Sequence, residues 1–284
     1  MRTRFAPSPT GPLHLGHAYS AMLAYDMAMA NNGEFLLRIE DIDQGRVRPH
    51  WQEQIYDDLH WLGLKWPKPV LRQSDNMPRY KQALHELEIQ GLLYKCTCNR
   101  RDIEAAAAAP QEGSGPTYGP DGLIYPGTCR DQGNQQPNSP LRLNMQKACE
   151  MLGNTNLTFH ETAAPHKGTQ KISATDLIDN VGDIILSRRD MGTSYHLSVV
   201  LDDADQGISD VIRGQDLFEA TKIHVLLQHL LKLPTPTYHH HRLIRDENGK
   251  RLAKRDDARA IAKYREDAKT PGDIRAMVGL NASA

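Results

Sequence analysis

Arg4-Phe5-Ala6-Pro7-Ser8-Pro9-Thr10-Gly11-Pro12-Leu13-His14-Leu15-Gly16-His17 is the stretch that decides how this chain is read. A short strand, Arg2 to Ala6, enters a turn rich in proline and glycine. Two histidines follow, spaced by Leu15 and Gly16, and a helical pattern runs from Ala18 to Asn31. The turn therefore sits just before a helix N-terminus, where free backbone N–H groups and the positive dipole end face an anion. Gly16 leaves room for a base or ribose against the backbone. His14 and His17 can donate hydrogen bonds to phosphate oxygens as charge develops during a displacement. Two histidines near a helix start are, taken alone, more often surface residues than catalysts.

Working outward, strand and helix alternate. Glu34 to Glu40 reads as a strand, and Pro49 to Leu62 and Arg79 to Gly91 as amphipathic helices, with Gly91 as a stop. This βαβα order predicts an α/β fold with a doubly wound parallel sheet, whose ligand site lies beyond the carboxyl ends of its strands. Residues 95–160 change character, with Cys96, Cys98, Cys129, Cys149 and an alanine run, and read as an insertion. Strands are then expected at Asp183 to Ser187, Tyr195 to Leu201 and Val211 to Arg213. A helix is expected from Asp216 to Leu231. Tyr238 to Ile244 is expected to pair with residues after the Asn248-Gly249 turn. The parallel-sheet domain takes residues 1–94 and 161–236, and residues 237–284 form a basic loop and short helices.

Composition sets the outer bounds. The chain has 284 residues, 39% hydrophobic and 24% charged, which excludes wholesale disorder and allows a substantial core. No apolar run approaches a membrane span and no signal-peptide pattern opens the chain, so no membrane partner is expected. Four cysteines do not make a disulfide scaffold, and a reducing cytoplasm is the expected location. A net charge of −1 argues against binding a polyanion by global charge. A local cluster, Arg242, Arg245, Lys250, Arg251, Lys254, Arg255 and Arg259, is the exception, although acidic neighbours also fit a solvated loop. His239-His240-His241 is read as strand residues, since consecutive side chains point to alternate faces.

The opening string resembles the His-X-Gly-His signature of class I aminoacyl-tRNA synthetases, in the form used by their glutamyl/glutaminyl branch. Lys250-Arg251-Leu252-Ala253-Lys254-Arg255 is similar to that branch's lysine loop, with Ala253 in place of the usual serine and Arg251 in place of the first lysine. The resemblance implies a Rossmann-like class I catalytic core that binds ATP with Mg²⁺. It implies catalytic roles for His14, His17 and Lys254, with Gly16 and Arg251 also on the nucleotide. For glutamate it implies Arg4 and Arg213 on carboxylates, Glu40 on the ammonium and Tyr195 as a hydroxyl, with Phe5, Ala6, Pro7 and Ser8 lining the pocket.

Within that branch the chain resembles most the short glutamyl-Q tRNA(Asp) synthetase family. The chain stops at Ala284, soon after the loop, without room for an anticodon-binding domain, and a monomer is expected. The resemblance implies transfer of glutamate to queuosine in the anticodon stem-loop of tRNA(Asp). The alternatives are a catalytic fragment of a glutamyl-tRNA synthetase charging the acceptor end, a nucleotidyltransferase of the same superfold, and a non-catalytic RNA-binding paralogue. A Cys-X-Cys…Tyr-X-X-X-Cys pattern, Cys96, Cys98, Tyr125 and Cys129, also matches this branch and implies a structural zinc. Tyrosine is outside the usual ligand list, and Tyr118, a water or a nearby histidine are alternative fourth ligands. Cys149 is read as a bystander.

Overall fold

β1 (Arg2–Phe5) runs into the proline-rich turn and then α1 (Leu15–Ala30), followed by β2 (Glu34–Ile39), α2 (Pro49–Trp61), β3 (Leu71–Arg72) and α3 (Met77–Ile89). The computed structural model describes residues 1–107, 117–133, 136–245 and 259–280. Next come β4 (Leu93–Lys95), α4 (Arg100–Ala107), β5 (Tyr118–Gly119), β6 (Gly122–Leu123), β7 (Leu141–Leu143), α5 (Met145–Leu152), β8 (Leu157–Glu161) and β9 (Gly168–Ile172). The rest is α6 (Ala174–Asn180), β10 (Ile185–Ser187), α7 (Tyr195–Asp205), β11 (Asp210–Gly214), α8 (Thr221–Leu230), β12 (Thr237–His241), α9 (Ile261–Glu266) and α10 (Pro271–Met277).

β1, β2 and β3 are parallel, as are β11, β12 and β8, with β9 antiparallel on β8. The two halves meet where Ser209 N donates to Arg2 O at 3.0 Å. Helices cover both faces of this sheet. Neighbouring residues of β11 show it: Ile212 joins the core under α1 and α10, and Val211 joins the core under α7 and α8. The parallel α/β architecture read from the sequence is the one observed. At the α1–β2 turn, a Cβ on Gly33 would lie 2.0 Å from Met1 O, so only glycine lets the chain return beside β1.

Several elements differ from the sequence reading. α1 starts at Leu15 rather than Ala18, because His14 itself serves as the N-cap. Tyr195 to Leu201 is not a strand: it opens α7, capped by Ser194, whose hydroxyl accepts from Leu197 N. The Val199-Val200-Leu201 run mimics a buried strand, but here it is a helix buried nearly all round. Each of those side chains contributes about 1.5–3 kcal/mol of burial relative to exposure. Asp183 to Ser187 supplies β10, which pairs antiparallel with β7 in a small sheet with β4, not with the parallel sheet. The helix expected from Asp216 is a short 3₁₀ turn, Gln215–Leu217, and then α8. β12 pairs in parallel with β11, whereas its expected hairpin partner lies outside the described residues. Among the described residues no helix is long and apolar enough to cross a membrane.

Candidate active site

The histidine turn is built as a reciprocal cap. His14 Nδ1 accepts from Gly16 N at 3.1 Å, and His17 Nδ1 accepts from His14 N at 3.2 Å. An imidazole nitrogen that accepts carries no proton, so both rings hold their proton on Nε2. The rings lie 3.8 Å apart between centroids. A Cβ on Gly16 would come within 3.0 Å of the His14 ring. The close approach that calls for glycine is therefore His14's own imidazole folding over the first turn.

Both rings line a cavity of about 350 Å³ at the carboxyl ends of β1 and β11. Arg4, Phe5, Ala6, Gly16, Glu40, Tyr195 and Arg213 line it too, so a chain interval of some two hundred residues converges on one space. Ser8 lines an adjoining cavity of about 200 Å³, which shares Glu40 and Tyr195 as its wall. Pro7 lines neither, but its carbonyl accepts from Glu40 N at 3.0 Å and so places that residue.

The cations of the cavity are held in two different ways. Arg4 is bidentate on Asp203 of α7, at 2.9 and 3.1 Å. Arg38 of β2, fully buried, reaches Asp203 at 2.7 Å and Glu40 at 3.2 Å. Burial alone would raise the Asp203 carboxyl; Arg4 and Arg38 outweigh burial and hold it below the usual range. Burial wins at Glu40 and at Asp202, whose carboxyls are raised despite Arg38. Among the described residues Arg213 has no such carboxylate. Its Nε donates to His240 Nε2 and its Nη1 to His224 Nδ1, both at 3.0 Å, and its Nη2 to Thr221 Oγ1 at 2.8 Å. Of the histidine triplet, His240 thus faces Arg213, His239 meets Thr162, and His241 lines the cavity.

Arg251 and Lys254 lie outside the described residues, as does Ala253. The described flanks of their segment are at the cavity: Leu243 and Ile244 line it, and Ile261 N donates to Leu13 O at 2.8 Å beside the His14–Ala260 bridge.

Away from the cavity, the Cys96, Cys98 and Cys129 sulfurs lie within 4.8 Å of one another. Tyr125 Oη is 3.5 Å from Cys96 Sγ and 3.4 Å from Cys98 Sγ, while Tyr118 is exposed. Burial pushes the Cys98 thiol up to about 11. At Cys129 burial is outweighed by hydrogen bonds from Tyr125 and Thr97, which bring the thiol down to about 6. The Arg142 guanidinium stacks 3.8 Å from the Tyr125 ring centre. Three soft sulfurs and one oxygen around a common point are a donor set that fits zinc.

A model of the class I tRNA synthetases (E and Q), catalytic domain, matches residues 1–281. The glutamyl-Q tRNA(Asp) synthetase of Rhodobacter capsulatus is 59% identical over 285 residues, covering 99% of this chain and 100% of that protein. The chain belongs to the glutamyl-Q tRNA(Asp) synthetase family. It is accordingly a class I aminoacyl-tRNA synthetase-type ligase. The family's Nocardia farcinica member is 40% identical, over 97% of this chain and 82% of that protein. Among solved structures, a glutamate tRNA ligase from Elizabethkingia meningosepticum in complex with its amino acid aligns with a TM-score of 0.76 at 26% identity. It covers 98% of this chain, which spans 60% of that ligase. The Mycobacterium tuberculosis methionyl-tRNA synthetase bound by methionyl-adenylate shares the fold alone, with a TM-score of 0.62 at 10% identity.

Sequence reasoning missed Asp203, Arg38, His224 and Thr221. Asp203 carried a signal, since it stands in Tyr195-His-Leu-Ser-Val-Val-Leu-Asp-Asp203. His224 carried none, since it is one of several polar residues on α8.

Proposed function

We propose that this protein activates glutamate with ATP as glutamyl-adenylate and transfers the glutamyl group to queuosine in the anticodon of tRNA(Asp). The observation that carries the reading is the single cavity that gathers both signature histidines with Glu40, Tyr195 and Arg213. The 59% identity to a relative of that name supports the acceptor.

In the first step an oxygen of glutamate's α-carboxylate attacks the α-phosphorus of ATP. The bond to the bridging oxygen breaks, and pyrophosphate leaves with the electron pair. The Nε2–H groups of His14 and His17 donate to the phosphate oxygens as charge grows there. Lys254, with Arg251 beside it, offsets the charge on departing pyrophosphate, and Mg²⁺ arrives with the nucleotide. Glu40 pairs with the substrate ammonium; burial raises its carboxyl, and a bound cation favours its charged form. Arg4 and Arg213 face the carboxylates, and Tyr195 adds its hydroxyl. Arg4 is already engaged bidentately by Asp203, so the side-chain carboxylate goes to Arg213.

In the second step a hydroxyl of the queuosine ring attacks the carbonyl carbon of the mixed anhydride, the C–O bond to AMP breaks, and the hydroxyl proton passes to the departing phosphate of AMP. The anhydride is already activated, so positioning suffices without a dedicated base. Cys96, Cys98, Cys129 and Tyr125 would hold a structural zinc, which would cross-link the insertion.

The test uses labelled glutamate and a queuosine-containing tRNA(Asp) that lacks its 3′-terminal adenosine. Label on that RNA is the expected result. Label found only on tRNA with an intact 3′ end would replace this reading with acceptor-end charging.

A further inference from the structure

Arginine only donates hydrogen bonds, so the contacts of Arg213 fix the protonation of its neighbours. His240 Nε2 and His224 Nδ1 both accept from it, and neither ring can be charged while doing so. The protons then sit on the far sides. His240 Nδ1–H donates to Glu161 at 2.5 Å; His224 Nε2–H donates to His196 Nδ1 at 3.0 Å; His196 Nε2–H donates to Asp121 at 3.2 Å. Thr221 and the Leu217 carbonyl take the Nη2 donors. Each contact with the guanidinium is thus a neutral acceptor. Among the described residues no carboxylate lies within ion-pairing distance of Arg213, although the residue is only 5% exposed. A buried cation without a counter-charge is costly, and it is retained where an incoming anion completes it.

We infer that His224 and His240 are positioning residues that hold Arg213 unneutralised for the substrate's side-chain carboxylate, and so make the site choose glutamate over its carboxamide. This rests on the glutamate reading above and adds the device that enforces it. Burial lowers the pKa of both rings, in keeping with their neutral form. The contrast with Arg4 is the internal comparison. That guanidinium lines the same cavity but is occupied by Asp203, so it cannot discriminate charge in the same way. The outer links matter too. Through His196, the orientation of His224 depends on Asp121 at the tip of the β5–β6 hairpin, which ties the insertion to the amino-acid pocket.

The experiment is calorimetric binding of L-glutamate, L-glutamine and ATP to the full chain. His224→Asp and Thr221→Asp each offer Arg213 a carboxylate of its own. The second does so at the first residue of α8, where an acidic side chain suits the helix dipole. Either is expected to weaken glutamate binding by at least about tenfold and to shrink its advantage over glutamine, with ATP binding within about threefold of the parent. His224→Asn and His240→Gln keep an acceptor toward Arg213 and are expected to bind glutamate within about threefold of the parent. Undiminished glutamate binding by a folded Asp variant would overturn the inference. So would a loss in the Asn and Gln variants as large as in the Asp variants. A parent protein that binds no glutamate would remove the functional reading itself, which separates the two failures.

Discussion

His14 is proposed for two tasks that require one tautomer. Its Nδ1 caps α1, and its Nε2–H is the proposed donor toward phosphate. The tasks separate by mutation. His14→Ala should lose about 1 kcal/mol of stability with the cap, and adenylate formation should fall by about a hundredfold or more with the donor. His14→Asn restores a side-chain acceptor to the cap, so its urea midpoint should return while its rate does not. Normal glutamate-dependent pyrophosphate exchange by either variant would remove His14 from the chemistry. The buried histidines make a second prediction. His224 is held well below its ordinary 6.5, so near that pH the unfolded chain takes up a proton that the folded chain refuses. The stability this confers is fully present above about pH 6.5 and is lost as pH falls toward the folded-state pKa. Between pH 6.5 and 5, unfolding free energy should fall less steeply in His224→Asn than in the parent, by about 1.4 kcal/mol per pH unit. Asp58, pushed by burial up to about 7, acts in the opposite sense and cancels in this comparison.

The elements meet at α7. Through Asp203 it clamps Arg4 of β1 and Arg38 of β2, and through Asp202 it accepts from Gln73, Asn76 and Tyr80. Asp203→Asn leaves two buried guanidinium groups short of charge, so urea denaturation should show a loss of about 3–5 kcal/mol. A loss under 1 kcal/mol would mean that the clamp is not a stabilising unit. The sequence showed β1, the turn and the start of the first helix because proline, glycine and histidine mark them locally. It hid α7, because the Val199-Val200-Leu201 run reads as a fully buried strand and Ser194 is a weak sign of a cap. The Arg4–Asp203 and Arg213–His224–His240 contacts were also out of reach, since they depend on register and burial rather than on any local pattern. The candidate pocket residues were legible only through motif resemblance; Arg4, Phe5, Ala6, Glu40, Tyr195 and Arg213 line one cavity, Ser8 lines the next, and Pro7 lines neither.

Across the whole molecule, the parallel sheet carries the cavity and the insertion packs beside it. Asp183 fastens that insertion by accepting from Tyr94 at 2.5 Å, Arg130 at 2.9 Å and Met145 N at 2.8 Å. The cysteine cluster lies in the same region, and one zinc per chain is the expected content by elemental analysis. Cys98→Ser should lower it, and unchanged zinc would exclude Cys98 as a ligand. Chelation should destabilise the insertion more than it slows adenylate formation, since the cluster touches none of the cavity residues.

The most direct test supplies labelled glutamate, ATP and Mg²⁺ with two preparations of tRNA(Asp), one containing queuosine and one lacking it. Label on the queuosine-containing RNA alone is the expected result. Equal label on both would contradict the assignment of queuosine as the acceptor.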